Sequence, residues 1–77
     1  MTEPEIILYT RLGCHLCDDA KSMLESHRLA VKCVDIDTDP ALVERFGLCV
    51  PVVFIDGRER FRGRIDPVLL RRLLKRH

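Results

Sequence analysis

The sequence predicts a small α/β domain with the order β-α-β-α-β-β-α, a four-stranded mixed sheet flanked by helices. Three observations predict it. Apolar runs of strand length alternate with stretches of helical periodicity, the pair Asp-Pro occurs twice as a helix start, at Asp39-Pro40 and Asp66-Pro67, and Asp56-Gly57 separates two short β-propensive runs. A chain of 77 residues is about half the usual domain size, so residues 1–77 form a single domain.

The elements follow in order. Ile6-Ile7-Leu8-Tyr9, within residues 5–10, is too short for a helix and is bounded by polar residues and Gly13, so it is the first strand. From Leu16, the inward-facing positions fall at Leu16, Ala20, Met23, Leu24 and His27, spaced four, three, one and three apart, with Asp18, Asp19, Lys21, Ser22 and Glu25 between them, and this is one amphipathic helix. Residues 29–36, with Val31, Cys33, Val34 and Ile36, form the second strand, in which Cys33 is expected in the core. It closes on the acidic turn Asp35-Ile36-Asp37-Thr38-Asp39. Asp39 accepts orphan N–H groups and Pro40 loses no bond at the first helical position, so a short helix through Leu42, Val43 and Phe46 follows and stops at Gly47. Residues 52–55 are the third strand and residues 58–62 the fourth, with Phe61 inward and Asp56-Gly57 as the hairpin turn. Asp66-Pro67 starts the last helix, whose apolar stripe is Val68, Leu69, Leu70, Leu73 and Leu74. The first strand, helix and second strand predict a right-handed parallel crossover, in an arrangement of two or three layers.

A chain that is 47% hydrophobic and 32% charged is globular, which excludes a disordered tail, a collagen-like chain and a coiled coil. No apolar run approaches the roughly 18–20 residues of a membrane span, so no membrane partner is expected; the longest, Cys49-Val50-Pro51-Val52-Val53-Phe54-Ile55, is strand-sized. The start Met1-Thr2-Glu3-Pro4-Glu5 is acidic where a secretory signal is basic and then apolar. A cytoplasmic location is expected, where disulfides are transient and catalytic rather than structural. The net charge of +1 conceals an asymmetry: residues 1–57 hold five basic and ten acidic residues, and residues 58–77 hold eight and two. Arg71, Arg72, Lys75 and Arg76 offset a helix dipole, and Arg58, Arg60 and Arg62 are expected on one face of an edge hairpin, where charge blocks strand addition. With one Tyr, three Phe and no Trp there is little on which bases could stack, so no nucleic-acid partner is expected, and the chain is read as a monomer.

The chemistry lies in the cysteines. Four of them are too sparse for a disulfide-stapled scaffold, and two form the Cys14-His15-Leu16-Cys17 pair between a strand and a helix. Backbone N–H groups and the positive dipole end at a helix start favour an anion, so Cys14 is the expected nucleophile. Cys17, one turn later, is placed to resolve a mixed disulfide on Cys14. His15 is either an exposed spacer or a source of positive charge beside Cys14; His27 and His77 are read as surface residues. Cys33 and Cys49 each lie sixteen residues after the previous cysteine and supply no second close pair, so no metal site is expected. Cys49 is either a small apolar filler or a third redox thiol. Two rival readings stay open: a metal- or iron–sulfur-binding module using the Cys-x-x-Cys pair, and a protein-docking domain with a basic C-terminal surface.

Tyr9-Thr10-Arg11-Leu12-Gly13-Cys14-His15-Leu16-Cys17, then Val34-Asp35-Ile36-Asp37, then Cys49 to Gly57 with Val50-Pro51 before the hairpin, resemble the glutaredoxin-like branch of the thioredoxin fold over essentially the whole chain. The Cys-His-Leu-Cys form is most similar to small bacterial glutaredoxin-like proteins. The resemblance implies a thiol–disulfide oxidoreductase that binds no cofactor, with glutathione as co-substrate. It implies a cis Val50-Pro51 peptide facing the active site, Val50 offering its backbone to glutathione, and Arg11 and His15 beside the ligand. Gly63 and Arg64 match the stretch that holds its γ-glutamyl end, and Cys49 is expected near Cys14. Arg62-Gly63-Arg64-Ile65-Asp66 keeps only one glycine and one Asp of that stretch, with Asp66 capping the last helix, and the motif lacks the usual aromatic residue. A disulfide-containing protein as substrate, with glutathione or thioredoxin reductase as reductant, fits these departures.

Overall fold

The computed structural model describes residues 4–75. Met1, Thr2 and Glu3 of the acidic start, Arg76 of the basic terminal group and His77 lie outside the described residues. The elements are β1 (Ile6–Thr10), α1 (His15–Ser26), β2 (Val31–Asp35), a 3₁₀ turn (Ile36–Thr38), α2 (Pro40–Phe46), β3 (Val52–Ile55), β4 (Arg58–Arg62) and α3 (Pro67–Leu74). The sheet order is β2-β1-β3-β4; β1 runs parallel to β2, while β3 is antiparallel to both β1 and β4.

Alternation along the central strands sorts the core into two faces. Ile6, Leu8, Val53 and Ile55 point one way, onto Ala20 and Leu24 of α1 and Leu70 of α3, with Phe61 and Ile65. Val52 points the other way, onto Ile36 and Phe46, and Tyr9, Leu42 and Phe54 pack around them. The layers are therefore three, with α1 and α3 on one face and α2 on the other. Tyr9, Phe46 and Phe54 close the second face as an aromatic cluster with ring centroids 4.8, 5.5 and 6.0 Å apart.

The starts of α2 and α3 are made by the expected device. Asp39 accepts from the Ala41 N–H, and Asp66 Oδ1 accepts from both Val68 N–H at 2.9 Å and Leu69 N–H at 3.2 Å. Asp56 and Gly57 both take positive φ, 52° and 81°, as a two-residue hairpin turn of this sequence requires. Gly47 caps α2 with φ −53°, so its smallness matters for space and not for a left-handed backbone: a Cβ there would stand 2.5 Å from the Val43 carbonyl oxygen.

Four expectations are corrected. The second strand ends at Asp35, because Asp35 Oδ1 takes the Asp37 N–H at 2.9 Å and turns the chain into the 3₁₀ segment, where Ile36 is buried. Cys33 is exposed and not core, since β2 is the sheet edge and a groove separates Cys33 and Asp35 from Cys17, Asp18 and Lys21 of α1. In α3 only Leu70 is buried, with Leu73 and Leu74 packed beside it, while Val68 and Leu69 are exposed, because eight residues of helix present one i, i+3, i+4 stripe. Arg58, Arg60 and Arg62 do not share a face: the β3–β4 register shifts at Val53/Phe54, which sets Arg58 opposite Ile55 and Arg62 opposite Val52, on the two different faces.

Candidate functional site

The loops at one end of the sheet bring the sequence-predicted residues together. β1 runs into Arg11-Leu12-Gly13, and the turn closes with the Cys14 N–H donating to the Arg11 carbonyl at 3.3 Å. Cys14 is the N-cap of α1, and its Sγ accepts the Cys17 N–H at 3.2 Å. A cysteine thus does the work that Ser or Asp does at ordinary helix starts, which is why the helix begins at His15 rather than at Leu16. Cys14 is half-buried, whereas Cys17 is only 2% exposed. Burial, and the hydrogen bond to the Cys14 sulfur, push the Cys17 thiol up to about 12. The two sulfurs therefore differ in environment: one is reachable and receives a backbone N–H, the other is enclosed and stays protonated.

In the loop before β3, at the same end of the sheet, the Val50–Pro51 peptide bond is cis. Pro51 is buried and its carbonyl accepts the Gly63 N–H at 2.7 Å, which joins the loop before β3 to the end of β4. Val50 and Cys49 pack against the second core cluster. Cys49 Sγ also accepts from Arg62 Nη1 at 3.3 Å, while Arg62 Nη2 pairs with Glu59 Oε1 at 2.6 Å. The Arg62 guanidinium, chiefly through its hydrogen bond, holds the Glu59 carboxyl below its usual range. Gly63 and Arg64 line a groove of about 240 Å³ with Leu16, Asp19, Met23 and Ile65, beside the first turns of α1. His15, between the cysteines, is exposed. Asp66 caps α3 through Oδ1.

Arg11 is not an open cation. Its Nε donates to both oxygens of Asp37 at 3.1 Å, Nη2 donates to Asp37 Oδ1 at 2.8 Å, and Nη1 donates to the Gly47 carbonyl at 3.1 Å. The pair lowers the Asp37 carboxyl and raises Arg11, in both cases mainly through the shared hydrogen bonds. Asp37 escapes prediction from the sequence, though a signal exists: Thr10 pairs with Asp35 across parallel strands, so the residues that follow both leave the sheet at the same end. Three leucines escape it as well. Leu12 is 88% exposed, Leu16 45% and Leu48 102%, and they sit on or beside the two loops that carry Cys14 and Pro51. Among the described residues no group of three or more His, Cys, Asp or Glu is placed to hold a metal ion, and no helix is long and apolar enough to cross a membrane.

A family profile described as "Glutaredoxin-like domain (DUF836)" matches residues 5–75. The chain belongs to this glutaredoxin-like family. An uncharacterized protein of Mycobacterium tuberculosis is 35% identical over 80 residues, covering 92% of this chain and 82% of its own. The X-ray structure of target protein XcR50 from X. campestris superposes with a TM-score of 0.80 at 40% identity, over 94% of this chain and 97% of the other. Glutaredoxin 1 from Francisella tularensis superposes with a TM-score of 0.62 at 27% identity, over 78% of this chain and 84% of its own. The glutaredoxin-like chain thus has the thioredoxin-type α/β fold, which supports a thiol-redox function of a general kind.

Proposed function

We propose that this glutaredoxin-like protein is a thiol–disulfide oxidoreductase in which Cys14 attacks and Cys17 resolves. The observation that carries the reading is the contrast between the sulfurs: Cys14 Sγ stands at a helix N-cap and takes the Cys17 N–H at 3.2 Å, above an enclosed Cys17 thiol. Cys14, as thiolate, bonds to one sulfur of the substrate disulfide; that S–S bond breaks and the other substrate sulfur leaves as a thiolate that takes up a proton. Cys17 then gives up its proton and attacks Cys14 Sγ, the second substrate sulfur leaves as a thiol, and a Cys14–Cys17 disulfide forms. The substrate gains two electrons and two protons. A reductant, glutathione or thioredoxin reductase, returns the pair to dithiol.

A disulfide in a protein is the substrate favoured here, because Leu12 and Leu16 on either side of Cys14 in the chain, and Leu48 in the loop before Pro51, leave apolar surface exposed for a polypeptide to contact. With pre-reduced protein and an excess of a protein disulfide, Cys14→Ser abolishes reduction, and Cys17→Ser accumulates a mixed disulfide on Cys14 detectable by mass spectrometry. Reduction that persists in Cys14→Ser removes the proposal. Running the wild type with glutathione alone, and in parallel with thioredoxin reductase alone, assigns the electron source.

A further inference from the structure

We infer that Asp37 sets a charge preference at this site, holding the Arg11 guanidinium so that small anionic disulfides are disfavoured relative to disulfides without acidic groups beside the sulfur. The inference rests on the oxidoreductase reading given above. Arg11 lies three residues before Cys14, and Asp37 accepts from Nε at 3.1 Å and from Nη2 at 2.8 Å. That edge of a guanidinium is one that matches a carboxylate two-pronged, so Asp37 occupies the place an incoming carboxylate would take. The third nitrogen is engaged as well, by the Gly47 carbonyl at 3.1 Å.

Asp37 is itself fixed. Its N–H bonds Asp35 Oδ1 at 2.9 Å, and the Thr38 hydroxyl donates to the Asp35 carbonyl at 2.7 Å, which pins the 3₁₀ turn. The groove of about 180 Å³ beside Cys17 is lined by Arg11 and Lys21 against Asp18 and Asp35. Two cations face two acids there, and Asp37 on Arg11 tips the balance to the acidic side. Both partners of the pair are more than a third exposed, a setting in which ion pairs add little to stability, so the main consequence of the pairing is the charge that a substrate meets.

The test is a single turnover of pre-reduced protein with three small disulfides: oxidised glutathione, which is anionic, the neutral bis(2-hydroxyethyl) disulfide and the cationic cystamine. No external reductant is needed, since each turnover converts Cys14 and Cys17 to their disulfide and the substrate to two thiols. The disulfides differ in intrinsic reactivity, so the quantity compared between variants is the ratio of the glutathione rate to the cystamine rate. Asp37→Asn raises this ratio by about 3–10-fold at low salt, and about 0.5 M salt shrinks the gain. Asp37→Glu keeps the wild-type ratio. Arg11→Gln, which leaves Asp37 unneutralised, lowers it, and serves as the second variant if Asp37→Asn loses its circular-dichroism signature. A ratio unchanged in Asp37→Asn, or shifted equally in Asp37→Glu, overturns the inference. A wild type silent toward all three disulfides defeats the oxidoreductase reading itself, whereas a wild type that reduces them with a ratio indifferent to Asp37 and Arg11 defeats only the charge preference.

Discussion

Cys17 carries a cost that shows outside any reaction. Its thiol is raised from 9.0 to about 12, mainly by burial and then by the Cys14 sulfur, so the folded chain holds that proton more tightly than the unfolded one. The contribution to stability is therefore complete below about pH 9 and is lost as pH climbs from about 9 toward about 12. For the reduced protein, the Cys17-dependent loss should be about 1 kcal/mol by pH 10. Urea unfolding of the reduced wild type and of Cys17→Ala at pH 8 and pH 10 reads it out: the wild type should lose more between the two pH values. Equal losses would mean that Cys17 is not enclosed as described. The Cys14–Cys17 pair is legible in the sequence because its spacing is local, while the partner of Arg11 is not: Asp37 is 26 residues away and meets it only through the pairing of β1 with β2.

Among the elements, α3 shows how much a local signal decides. Asp66 Oδ1 satisfies two orphan N–H groups, and Pro67 fills a position that needs none. Asp66→Ala should cost about 0.5–2 kcal/mol in urea unfolding and Asp66→Asn clearly less; indistinguishable losses would remove the cap as the cause. Devices of this kind, like the Asp56-Gly57 turn and the Asp39-Pro40 start, act over two or three residues, and a sequence displays them directly. What a sequence does not display is which neighbour covers an element. Cys33 alternates as a core residue would, yet it lies on the edge strand beside a groove, and Val68 and Leu69 belong to an apolar run longer than one face of the helix. The β4 bulge is hidden for the same reason: Arg58, Arg60 and Arg62 alternate correctly, and only pairing with β3 reveals that one residue is extra.

For the molecule as a whole, the division of surface matters more than the net charge of +1. The core takes up apolar residues on both faces of the sheet, and yet Leu12 and Leu48, in the loops before Cys14 and before Pro51, are left almost fully in water. Scattered exposed leucines need no explanation, but these lie on two loops that the Arg11–Gly47 hydrogen bond ties together, one of them leading into Cys14, the nucleophile proposed above. If they receive the chain on either side of a partner's disulfide, removing one should matter in proportion to the polypeptide it touches. Leu48→Ser is then expected to lower the second-order rate with a protein disulfide by about 3–10-fold, the loss of one well-packed apolar contact, and to lower the rate with bis(2-hydroxyethyl) disulfide much less. Stopped-flow rates for both substrates give the comparison. Equal losses with both would place Leu48 in the geometry of the Cys49–Pro51 loop instead, and a double substitution with Leu12→Ser separates the two cases, because contacts to one polypeptide add across the two loops while a distorted loop does not respond to the second change.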